Sequence, residues 1–208
     1  RQGTLSCEAL ATNLDTLGAV GYYRNGPEMG IRVCLDGPDP ASDRMVAALE
    51  AIRSKAYARQ IEQLGRGGVN TTAHLQWFHV GSRFSPMGVK TIGAFCDHCK
   101  DTDLFDPGKF IAGFQTIPNE VPGFGPVAMD QVKISMRVSG TLRQKIRAGQ
   151  IQGLDAFLPE ATCRVGGFAD ACHSLAAATT IPAGQEAALI HEMEQILSKH
   201  TDTNRHNG

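Results

Sequence analysis

At 208 residues and 22.3 kDa, the chain has room for one domain, or one domain and a piece of another, and enough length to bury a core without metal or disulfide staples. With 42% apolar and 20% charged residues it is globular in composition, which excludes a disordered chain. Twenty Lys and Arg against 21 Asp and Glu leave a formal charge of −1, which excludes a global field drawing the whole chain to nucleic acid or a membrane.

No apolar stretch reaches the roughly 18 residues of a membrane span. The start, RQGTLSCEAL, has no apolar h-region, so no signal peptide is expected, and its lack of Met implies processing or excision from something longer. Cys7, Cys34, Cys96, Cys99, Cys163 and Cys172 are even in number. At this length and without a secretion signal, the expectation is reduced thiols in a cytoplasmic protein.

In chain order, Leu10, Leu14 and Leu17 stand at helical spacing. GAVGYY, a turn at Asn25-Gly26-Pro27 and the apolar run 31–35 then read as two strands. DGPDP is a break, with Asp39 as expected N-cap and Pro40 at the first helical position. A long helix is predicted over about 41–64, with Met45, Leu49, Ile52, Ala56 and Ile61 as its apolar stripe. Its other face carries Asp43, Glu50, Arg53, Arg59 and Glu62, and Gly65-Arg66-Gly67-Gly68 ends it. From residue 69 the pattern is mixed. Residues 75–80 and 109–116 read as strands, and Val132, Ile134, Met136 and Val138 alternate with Lys133, Ser135 and Arg137 as a half-buried strand. IPNEVPGFGP reads as a loop. Residues 184–199 form an amphipathic helix with Leu189, Met193, Ile196 and Leu197 on one face. The fold class expected is α/β: a mixed sheet flanked by helices, preceded by a long connector helix.

Between Gln131 and Leu154 lie Lys133, Arg137, Arg143, Lys145 and Arg147, with no Asp or Glu. Such a run suits phosphate contacts, or else is a solvated face paired with acids elsewhere in the fold. Gly166-Gly167 lets backbone approach a ligand and turns amides toward an anion, although such a pair also makes an ordinary turn. His173 can donate to a phosphate oxygen or a base edge, or serve as a structural residue. Cys96-x-x-Cys99 is half a zinc site without a second pair, since Cys163 and Cys172 are too far apart and His74 and His79 fall on opposite strand faces. The simpler expectation is two thiols in a turn. Trp77, Phe78, Phe84 and Phe95 sit in apolar runs and read as core before they read as base-stacking platforms.

The succession Val132-Lys133-Ile134-Ser135-Met136-Arg137, Gly166-Gly167, His173, Ala176-Ala177 and Ile181-Pro182 before a final helix resembles the DHH-associated domain of DHH-family phosphoesterases. That superfamily includes RecJ-like single-strand nucleases and oligonucleotide or cyclic-dinucleotide phosphodiesterases. The likeness is strong over 132–197, looser through FHVGSRFSPMGVKTIGAF, and nearest to archaeal RecJ-like members. It implies a DHH-domain tail over 1–40, a connector helix over 41–68, a DHH-associated substrate-binding domain over 69–200 and a frayed tail over 201–208. Two positions depart from the family pattern: Cys172 stands where a Gly precedes the His, and Ala178 where A-A-G has its Gly.

The resemblance implies the substrate-binding portion of a metal-dependent phosphodiesterase or single-strand nuclease acting on nucleic acid or oligonucleotides. Arg137 and His173 would contact a phosphate or terminal nucleotide, with Ser135 and the Gly166 and Gly167 amides assisting by positioning and charge neutralisation. The family's manganese or magnesium ions bind Asp and His motifs of an N-terminal domain that includes D-H-H. Asp97-His98 lies in the wrong place for that motif. No catalytic or metal-binding residue is therefore expected in this chain, which alone would be inactive. The expected partners are single-stranded nucleic acid or a short oligonucleotide, and replication or repair proteins, with no membrane. The alternative is a non-catalytic nucleic-acid-binding or scaffold module for such proteins. DNA, RNA and dinucleotide substrates all remain open.

Overall fold

A computed structural model describes residues 6–206 of the chain. Helix α1 (Cys7–Asp15) starts at Ser6, whose hydroxyl accepts from the Ala9 amide at 3.1 Å. It runs into a π-helical turn, Thr16–Val20, and then α2 (Gly26–Asp36). The two strands expected over 18–23 and 31–35 are thus absent. A five-residue apolar run fits either period. Pro27 in the first turn starts a helix, Met29 and Val33 face the core one turn apart, and Ile31 and Leu35 are left 61% and 78% exposed.

Helix α3 (Pro40–Gly65) begins where the break predicted. Asp39 Oδ1 accepts from the amides of Ala41 at 2.9 Å and Ser42 at 2.7 Å, and Ser42 Oγ accepts from the Asp39 amide at 2.9 Å. This reciprocal cap satisfies donors that a helix N-terminus leaves free.

The remaining elements are β1 (Asn70–Thr71), β2 (Leu75–His79), α4 (Thr91–Cys99), β3 (Phe110–Thr116), a small hairpin of β4 (Glu120–Val121) and β5 (Gly125–Pro126), β6 (Gln131–Arg137), α5 (Gly140–Arg147), α6 (Leu158–Arg164), β7 (Phe168–Cys172), β8 (Ala176–Pro182) and α7 (Glu186–His206). Helix α7 runs into the polar stretch assigned to a frayed tail, and residues 207–208 lie outside the described residues. The main sheet has the order β1-β2-β3-β6-β8-β7. Only β2 and β3 pair in parallel; the other ladders are antiparallel. The fold is α/β, a mixed six-stranded sheet flanked by helices and preceded by a long helix. Among the described residues no helix is long and apolar enough to cross a membrane.

Strand alternation divides the core in two. Phe110, Ala112 and Phe114 of β3, Ile134 and Met136 of β6, and Ala177 and Ile181 of β8 face Leu158, Leu189 and Met193 of α6 and α7. On the other face, Phe78 and Ile111 pack with Ile92, Phe95 and Cys96 of α4 and with Leu17, Leu49 and Tyr57 from the N-terminal helices. Each of these large buried side chains stabilises the fold by roughly 1.5–3 kcal/mol relative to exposure.

Candidate functional site

The period of β6 that sends Ile134 and Met136 into the core sends Lys133, Ser135 and Arg137 to the α4 face of the sheet. Helix α4 lies close over this strand at Gly93, where a Cβ would stand 2.9 Å from both Arg137 Nη2 and Ser135 Oγ. It covers β3 and β6, while β7 and β8 pack on α6 on the opposite face. Residues 168–171 are exposed. The outcome is a strip along β6, β8 and β7 that is exposed at β7, with Ser135 and Thr180 buried in its floor and α4 as one wall.

Arg137 is firmly held at this wall. Its Nε donates to Asp97 Oδ2 at 2.7 Å, and its Nη1 donates to Ser135 Oγ at 3.0 Å and to the Met136 carbonyl at 2.8 Å. Asp97 Oδ1 also takes Lys100 at 2.7 Å. Partial burial pushes the Asp97 carboxyl up, but Lys100 and Arg137 together hold it below the usual carboxylate range. Across the strip, Lys133 pairs with Asp170, which also accepts from Thr180 Oγ1 at 3.3 Å. The two strand cations are therefore paired with acids from other elements. Arg143, Lys145 and Arg147 lie on α5, and among the described residues none of the three has an ion-pair partner.

Arg137 and His173 end at the same edge of the sheet. Arg137 pairs with Ala176 in the β6–β8 ladder, and the His173 amide donates to the Ala176 carbonyl at 3.0 Å in the β7–β8 turn. His173 is exposed. Ser135 is buried and serves Arg137 directly.

Gly166 and Gly167 are placed otherwise than the anion-cradle expectation requires. The Gly166 amide donates to the Cys163 carbonyl at 3.0 Å and the Gly167 amide to the Thr162 carbonyl at 2.9 Å. Both donors close the end of α6, with Gly166 at φ +76° in the left-handed position after the helix. Gly167 permits close approach: a Cβ there would stand 2.5 Å from the Thr180 carbonyl oxygen. The pair is a helix terminator, with no amide left to meet a phosphate.

Cys96 and Cys99 are buried on α4 rather than in a turn, and burial pushes the Cys99 thiol up to about 12 and Cys96 higher. All six cysteines are free. Among the described residues no three His, Cys, Asp or Glu side chains come together as metal ligands. His98 lies against the Tyr57 ring at 5.5 Å, apart from the Asp97–Arg137 pair. Phe78, Phe84 and Phe95 form one buried aromatic cluster with Tyr57, and Trp77 packs on the opposite core.

Sequence reasoning missed Asp97 and Asp170. The two acids lie 40 and 37 residues from their cations, so no local pattern links them. A separate cleft of about 750 Å³ lies between the π-helical turn and residues 117–129, lined by Tyr22, Tyr23, Ile117 and Met129. None of the five residues singled out in the sequence lines it.

No family model and no curated protein matches the chain. Among solved structures, the C-Ala domain of alanyl-tRNA synthetase from Aquifex aeolicus is similar at 11% identity and a TM-score of 0.42, over 62% of this chain and 97% of that one. The DHH domain of a protein assigned to a family of ribosomal proteins is similar at 11% identity and a TM-score of 0.44, over 83% of this chain. The pGpG-specific phosphodiesterase PggH from Vibrio cholerae is similar at 12% identity and a TM-score of 0.43, over 89% of this chain. The chain spans 35% and 58% of the length of the latter two.

Proposed function

We propose that this chain binds a phosphate of a single-stranded nucleic acid, oligonucleotide or dinucleotide at the Arg137–His173 end of the strip. It would act as the substrate-binding portion of a metal-dependent, RecJ-like phosphodiesterase of the DHH type. The observation that carries this reading is the register: Arg137, Ala176 and His173 stand side by side across β6, β8 and the β7–β8 turn. A guanidinium and an exposed imidazole can therefore approach one anion. The role of these residues is binding and orientation of the phosphate. Such phosphodiesterases use two metal ions for water activation, which in this reading a separate DHH domain would hold.

A second reading is favoured by the glycine pair. With both amides closing α6, and with Lys133 and Arg137 already paired, the face also suits a non-catalytic nucleic-acid-binding or scaffold module for replication or repair partners.

The test is binding of a 5′-phosphorylated single-stranded oligonucleotide at two salt concentrations, beside His173→Ala and Arg137→Ala. His173 is exposed in a turn, so its removal is expected to leave the fold intact. Weaker binding with a flatter salt dependence in both variants supports the phosphate site. Equal binding by wild type and His173→Ala removes His173 from it, and no binding by wild type sinks the reading for this chain.

A further inference from the structure

Helix α3 carries Lys55, Arg59 and Gln63 one turn apart, and the loop between β2 and α4 brings Arg83 and Ser85 against that row. With Gln60 they line a pocket of about 330 Å³, and no acid lines it. Among the described residues Lys55, Arg59 and Arg83 have no ion-pair partner. The neighbouring acids of α3 are engaged elsewhere, Glu50 with Arg53 and Glu62 with Arg66. Like charges one helical turn apart repel each other, so Lys55 and Arg59 gain nothing from their own helix.

The core holds this pocket in shape. Phe84 is buried and packs on Tyr57 of α3, with ring centroids 5.7 Å apart. Its chain neighbours Arg83 and Ser85 are thereby fixed at the pocket. Arg83 Nε donates to Gln60 Oε1 at 3.1 Å, and its Nη2 donates to the His79 carbonyl. A guanidinium can only donate, so the carboxamide atom that faces it is oxygen. Gln60 is 3% exposed, and its amide nitrogen keeps its donors for another acceptor. The Nη1 of Arg83 is likewise left for a ligand.

Oriented cations beside amide donors fit an anion, and a site of this volume lies at the small end of ligand pockets. One phosphate monoester carries about −1.5 to −2 at pH 7, too little to neutralise three cations. Adjacent phosphates match them better. We propose that the pocket between α3 and the β2–α4 loop binds a small polyanion bearing a di- or triphosphate group. None of its residues lies on β6, β7 or β8, so it is a second site beside the Arg137–His173 strip.

The experiment titrates the chain calorimetrically with inorganic tripolyphosphate, pyrophosphate, orthophosphate and citrate at one ionic strength. Wild type is expected to bind the first two about tenfold or more tightly than the last two. Lys55→Ala and Arg59→Ala should each weaken tripolyphosphate binding roughly 10- to 100-fold. Both side chains are exposed, and Ala is a good helix former, so α3 is kept. Arg83→Ala should do the same, and His173→Ala should bind as wild type does. If wild type does not bind tripolyphosphate, or if Lys55→Ala and Arg59→Ala bind it equally well, the proposal falls. Citrate bound as tightly as pyrophosphate overturns the phosphate class. Loss of binding in His173→Ala alone would place the anion on the strip and overturn the pocket.

Discussion

Arg137 on β6 and Asp97 on α4 hold each other at 2.7 Å, from Nε to Oδ2, across the wall of the strip. Any phosphate arriving there meets a guanidinium that is already oriented and already neutralised. Asp97 therefore offsets the charge that Arg137 presents at this end of the sheet.

Replacing that carboxylate is expected to strengthen oligonucleotide binding. Asp97→Asn leaves Arg137 and Lys100 without their shared acid. Affinity should rise, and the slope of log K against log salt should steepen by up to about 0.7 if one more phosphate is neutralised. The cost in stability should be small, about 0–1 kcal/mol, because Asp97 is partly exposed. Salt-dependent titration of the variant checks both; unchanged affinity would show that Arg137 meets no anion.

Gly167→Ala should destabilise the fold. The new Cβ would stand 2.5 Å from the Thr180 carbonyl and 2.7 Å from Ile181 Cγ2, so backbone must shift. Overpacking of this kind costs roughly 1–3 kcal/mol, read as a fall in Tm of several degrees. An unchanged Tm would show that α6 and β8 separate easily.

Glu194 on α7 is expected to make stability depend on acid. It accepts from Thr72 Oγ1, from His74 Nδ1 at 2.8 Å, and from the amides of His74 at 2.9 Å and Leu75 at 3.1 Å, tying α7 to the start of β2. Burial raises its carboxyl, and the bonds from Thr72 and His74 bring it below its ordinary value. A carboxylate lowered in this way stabilises the fold above its unfolded pKa, and that contribution is lost as pH falls through the folded one. Glu194→Gln should lose about 1–3 kcal/mol near neutrality, with the gap to wild type closing in acid. Denaturant midpoints across the pH range measure this.

Thiol chemistry should separate the cysteines. Cys7, Cys34 and Cys163 are exposed, while Cys96 and Cys99 are buried with thiols raised by that burial. Alkylation of the folded chain near pH 8 should label the first three and spare the α4 pair, by mass spectrometry of the peptides. Rapid labelling of Cys96 would show that α4 lifts from the sheet.

The sequence made the frame legible where one local rule decided the outcome. Asp39-Pro40 is both cap and first turn of α3, and the alternation through Val132–Val138 names both faces of β6. It misled where a short pattern has two solutions. The run 31–35 fits a strand until Pro27 and the spacing of Met29 and Val33 are weighed together. Gly166-Gly167 fits an anion cradle until the carbonyls of α6 claim its amides. Within the candidate site, Arg137 and Ser135 could be placed on a common face by period alone. Their acidic neighbour could not, because Asp97 reaches them only through the packing of α4 at Gly93 and Gly113.

The outermost strands also bear on how the molecule behaves in company. At one rim β1 is only Asn70–Thr71, too short to template a further strand. At the other, the ladder of β7 slips between Ala169 and Ala171, and Asp170 sits in the slip. A bulge with a charge in it interrupts the row of free backbone donors and acceptors that a neighbouring chain would need. One rim is blunted by brevity and the other by irregularity, so the sheet can leave β7 exposed without offering its edges for polymerisation.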